Sequence, residues 1–139
     1  MRMDEGDWVG LYRNIGGPSG CWSWDEVGTT WRGRYAGSQE LRSSIEIVDS
    51  VLASGVADRL LALTAMDDLA VASAQAPGRG TITVISPANF PVVPGHMGLS
   101  FYSEDGRREF RQYLAEDAVE AFWDVVGEKF GITRVRAGG

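Results

Sequence analysis

Apolar positions recur along the chain with two different periods. Leu41, Ile45, Val48 and Leu52 stand at i, i+4, i+7 and i+11, the stripe of an amphipathic helix. Ser38 is placed to cap its start, Glu40 lies in the first turn where the helix dipole favours an acid, and Gly55 supplies a stop. The spacing therefore predicts a helix over about 39–54. A second stripe of Ala118, Val119, Phe122, Val125, Val126 and Phe130 predicts another over about 115–130, ended by Gly131.

Between these stripes the period shortens to two. Thr81-Ile82-Thr83-Val84-Ile85-Ser86 is β-branched, alternating and bounded by Gly80 and Pro87, and reads as a strand. Pro87, Pro91 and Pro94 exclude a helix over 87–95. His96 to Ser103 and Arg108 to Leu114 read as two strands joined at Glu104-Asp105-Gly106, where Asp-Gly favours a tight hairpin turn. The apolar runs 59–65 and 69–74 fit either a hairpin around Met66-Asp67-Asp68 or one Ala-rich helix, and the hairpin is the preferred reading. Residues 7–36 read as a Trp-rich β meander with strands at Asp7–Arg13, Cys21–Trp24 and Thr29–Tyr35, and Ile132–Arg136 as a short final strand. The expected fold is a single α+β domain over 1–139: a mostly antiparallel sheet of about five to seven strands covered by two helices, with a frayed tail at 136–139.

Composition changes this picture in one respect. The 139 residues carry 19 acids against 13 bases, a formal net charge of −6. Nucleic-acid binders draw most of their affinity from neutralising phosphates and show the opposite balance, so no nucleic-acid partner is expected. The excess is densest over 37–78, where six acids face two bases. An acidic surface fits a basic protein partner, although solubility alone also accounts for it. Twelve of the thirteen bases are Arg, a bias that suits a GC-rich bacterial gene. No run of about 18 apolar residues is present and the start is acidic, so neither a membrane span nor a signal peptide is expected.

Familiar catalytic chemistry has few residues to work with. Cys21 is the only Cys and His96 the only His. No intrachain disulfide can form, which favours a cytoplasmic address, and no zinc-type spacing exists. A triad or a Cys-His dyad would have to use His96, and neither residue stands in a nucleophile context. The Gly-rich turns at 16–20, 78–80 and 95–98 complete no phosphate loop or dinucleotide fingerprint. Adjacent acids at turns, Asp67-Asp68 and Asp25-Glu26, read as solvated rather than as a metal site. Arg107, Arg108 and Arg111 form a locally basic hairpin whose alternating charges suit a guarded sheet edge. The last six residues, Arg-Val-Arg-Ala-Gly-Gly, are similar to the tails of ubiquitin-like modifiers, but too little chain follows the last helix to complete that fold.

The reading that remains is a non-catalytic acidic protein-binding module without cofactor or metal, comparable to an immunity protein or a specialised chaperone. Trp22, Trp24, Trp31 and Tyr35 would supply aromatic anchors, with Asp25, Glu26, Glu46 and Asp49 pairing to a basic partner surface. Core packing competes for the same aromatic residues. Two alternatives stand beside it. One is a small enzyme or ligand-binding protein with an aromatic-lined pocket and Arg108 or Arg111 orienting an acid. The other is a self-assembling component whose Trp patch is a homo-oligomer contact.

Overall fold

A computed structural model describes residues 23–35, 41–65, 68–75, 80–85, 92–102 and 106–135. The segments read as strands between residues 59 and 114 form five strands: β1 (Leu60–Ala65), β2 (Asp68–Ser73), β3 (Thr81–Ile85), β4 (His96–Tyr102) and β5 (Arg108–Leu114). They pair in sequence order, every neighbour antiparallel, as a meander. The apolar runs 59–65 and 69–74 thus supply two paired strands and not one helix, with Ala62 opposite Val71 and Ala65 opposite Asp68.

Period-two alternation sorts the side chains by face. Leu60, Ala62, Leu69, Val71, Ile82, Val84, Met97, Leu99 and Phe101 project into one core cluster. The opposite face carries Ile85 and the small residues Ala70, Ala72, Thr81, Thr83, Gly98 and Ser100, and these are buried too. At Gly98 the reason for smallness is local: an added Cβ would lie 2.8 Å from Phe110 Cε2 and 3.0 Å from Val92 Cγ2.

Three helices cover the core face: α1 (Trp24–Tyr35), α2 (Arg42–Leu52) and α3 (Ala118–Phe130), the last preceded by a 3₁₀ turn at Ala115–Asp117. Helix α2 lies between the other two, with α1 beside β1 and α3 beside β5. The α+β class and the two expected helices are therefore present, α2 and α3 each shorter at the start than their stripes suggested. Ile47, Val48 and Val51 of α2 and Phe122, Val125 and Val126 of α3 are fully buried, each contributing roughly 1.5–3 kcal/mol of transfer free energy. Gly131 ends α3 in the left-handed region at φ 69°, where glycine alone pays no steric penalty.

Two expectations are corrected. The β meander fails over 24–35, which is helical: Trp24, Val27 and Trp31 recur at i, i+3 and i+7 and all point into the core. Ser23 caps this helix, its Oγ accepting from the Glu26 amide at 3.1 Å while Glu26 Oε1 accepts from the Ser23 amide at 3.4 Å, a reciprocal capping box. Residues 132–135 form no strand. They run back to the bend that follows α2, where the Val135 amide donates to Ser54 O at 2.8 Å. The earlier strands, the Ser38 cap, the Met66-Asp67 turn and the 136–139 tail lie outside the described residues. Among the described residues no helix is long and apolar enough to cross a membrane.

Candidate functional site

The aromatic residues singled out as anchors divide by position. Trp24 and Trp31 are only 6% and 3% exposed. The Trp24 indole N–H donates to Leu60 O at 3.0 Å, so helix α1 is tied to the outer edge of β1. Both rings belong to the core cluster, where they seal the α1 end of the helical layer. Trp22 lies outside the described residues, as does the side chain of Tyr35. Trp123, which the stripe reading passed over, is a further structural aromatic: its indole donates to Ser50 Oγ at 2.9 Å and joins α3 to α2.

The acids chosen with those aromatics do reach the surface. Asp25 and Glu26 are exposed in the first turn of α1, where the dipole favours them. Asp49 forms an ion pair with Arg32 that links α2 to α1. Glu46 pairs with Arg42 one turn back at 3.1 Å. These pairs are exposed, and each is worth at most about 1 kcal/mol.

A larger acidic feature escaped the segment arithmetic. Glu116 and Asp117 in the last 3₁₀ turn are followed at spacings of three and four by Glu120, Asp124 and Glu128 of α3, and all five are exposed. Glu120 pairs with Arg134, and Glu128 with Arg111. Glu116, Asp117 and Asp124 have no ion-pair partner among the described residues. The three helices and this turn together hold nine acids and four bases, whereas the five strands hold two of each. Among the described helices and strands, the excess of acid thus belongs to the helices and this turn.

Arg111 is not available to orient a bound acid. Its guanidinium donates two bonds to Glu128, 2.9 Å to Oε2 and 3.1 Å to Oε1, and also donates to Glu109 Oε2 at 2.7 Å from one terminal nitrogen. It also lies 4.9 Å from the Phe101 ring centroid. Arg111 holds the Glu128 carboxyl below its usual range by this hydrogen bonding and charge, and the two carboxylates raise the guanidinium further. Arg108 donates to Ser100 Oγ at 3.2 Å. His96 is half-exposed, its Nδ1 3.2 Å from Pro94 O. Cys21 lies outside the described residues. Among those described, no group of three or more His, Cys, Asp and Glu side chains is placed to hold a metal ion.

Comparison with known proteins adds no relative: no family model, no curated protein and no solved structure matches the chain.

Proposed function

We propose that this protein is a non-catalytic acidic binding module that covers a basic surface of a partner protein, as immunity proteins and specialised chaperones do. One observation carries the reading: the helical layer holds nine acids to four bases over a sheet with balanced charge. A predominantly acidic surface steers a basic partner towards one side of the molecule and raises the encounter rate. The contact is placed on the solvent face of α1, α2 and α3, with Glu116, Asp117 and Asp124 free to pair with the partner's Arg or Lys. Trp24 and Trp31 support this face from beneath. A cytoplasmic, bacterial setting belongs to the same reading.

The test is affinity capture from an extract of the source organism at about 50 mM and about 500 mM salt, across which screening shortens severalfold. The bait is the intact chain beside a Glu116→Gln, Asp117→Asn, Asp124→Asn variant, none of whose replaced groups holds an ion pair among the described residues. One stoichiometric basic protein should be retained at low salt, and roughly tenfold more weakly by the variant. Equal retention by both baits, or no retained protein, defeats the proposal.

A further inference from the structure

The two outer edges of the sheet are finished differently. In an antiparallel ladder, opposed residues alternate between pairs that exchange backbone bonds and pairs that do not. At the β1 edge, the Ala74 amide donates to Arg59 O at 2.9 Å with Leu60 opposite Ser73. Leu60 therefore turns its carbonyl away from β2, and the Trp24 indole meets it there. The same phase holds at the other end. The Ala115 amide donates to Gly95 O at 3.0 Å with His96 opposite Leu114. Arg108, Phe110 and Gln112 consequently direct their backbone N–H and C=O groups outward from β5. Among the described residues no strand takes them up.

This edge also carries apolar surface. Phe110 is 37% and Leu114 47% exposed, and Val93, bound through its amide to Gln112 Oε1 at 3.1 Å, is 47% exposed. An outward row of amides beside exposed apolar side chains is a template for another strand.

We infer that the partner of this edge is a second copy of the chain, paired antiparallel along β5 about a twofold axis at Phe110. The sequence Glu109-Phe110-Arg111 is self-complementary under that operation. Phe110 meets its own copy as a bonded pair, and Arg108 meets Gln112 of the second copy likewise. Glu109 and Arg111 then oppose each other twice, in the closer, non-bonded type of pair, where opposite charges stabilise. Moving the axis by one residue would set Arg111 against Arg111, which is destabilising. Charges on an edge commonly prevent association. Here Arg111 is already neutralised by Glu109 and Glu128 of its own chain, so the strand can meet a copy without stranding a charge. The result is one continuous sheet across both chains, and it does not depend on the acidic-layer proposal.

Sedimentation equilibrium of the full chain from about 1 to about 500 μM tests this. The mass should climb from 15.1 kDa towards twice that value, and Phe110→Lys should weaken self-association at least tenfold with the far-UV circular dichroism unchanged. A constant 15.1 kDa overturns the inference, as does a folded Phe110→Lys variant that associates like the parent. If that variant does not fold, amide exchange in the parent decides instead. Protection of the Phe110 and Gln112 amides must rise with concentration, and exchange independent of concentration overturns it.

Discussion

Replacing Trp24 separates a core residue from an interface anchor, because the two roles predict opposite readouts. The indole is 6% exposed and bonded to Leu60 O, so Trp24→Ala removes a large buried ring and leaves both a cavity and an edge carbonyl without its donor. Truncations of buried Trp or Phe cost roughly 3–5 kcal/mol. A chain of this size has a total stability on the order of 7–20 kcal/mol, so the variant should still fold near 20 °C yet lose a large part of its margin. Trp24→Phe keeps most of the apolar volume and deletes the N–H, which should cost about 1–3 kcal/mol. Urea unfolding followed by far-UV circular dichroism measures both, independently of the indole fluorescence being removed. The midpoint should fall in the order parent, Phe, Ala with little change in slope. A Trp24→Ala midpoint within about 0.5 kcal/mol of the parent would refute the packing argument and return Trp24 to the surface.

Two further changes probe other joints of the fold. Gly98→Ala would push a methyl to 2.8 Å from Phe110 and 3.0 Å from Val92; overpacking of this kind costs about 1–3 kcal/mol, and pairing it with Phe110→Ala should recover part of the loss in the same urea assay. Glu128→Gln should cost about 0.5–1 kcal/mol at pH 7, since the half-exposed carboxylate is screened. The folded carboxyl is held below its unfolded value, so this stabilisation is full above the unfolded value near pH 4.3 and fades as pH falls through the folded one. Parent and variant stabilities should therefore converge in acid, and a gap that persists once Glu128 is protonated contradicts the pairing.

Strands β1 to β4 were legible as apolar or β-branched runs, and the largely polar β5 from the Asp105-Gly106 hairpin signal in the sequence. Helices α2 and α3 were legible from their apolar stripes at period 3.6. Over 24–35 the same procedure failed, since Trp, Thr and Tyr favour strands locally and Gly28 and Gly33 weaken a helix. The decisive signal was nevertheless present: Ser23-Trp24-Asp25-Glu26 is a capping box, and Trp24, Val27 and Trp31 follow at helical spacing. The surface was less legible than the fold. Summing charge over 79–139 cancels the acids of α3 against Arg107, Arg108 and Arg111, yet Arg108 bonds to Ser100 on the opposite face of the sheet, while Arg111 meets α3 at Glu128. Net charge by segment averages over faces that only the fold separates.

The two proposed surfaces make opposite demands on ionic strength, and that contrast tests their joint geometry. A twofold axis that pairs β5 with its copy runs perpendicular to the sheet, so both helical layers end on the same side. Helix α3 lies beside β5, which brings its acidic row nearest to the axis in each copy. Two chains of net charge −6 then repel each other at long range, while backbone bonds and the Phe110 contact hold them at short range. Screening removes long-range repulsion first and affects close or partly buried pairs least. Raising salt from about 50 to about 500 mM should therefore tighten self-association severalfold, and should weaken capture of a basic partner over the same interval. If self-association instead loosens with salt, the Glu109–Arg111 pairs rather than the backbone edge are holding the dimer, and the shared acidic side is refuted.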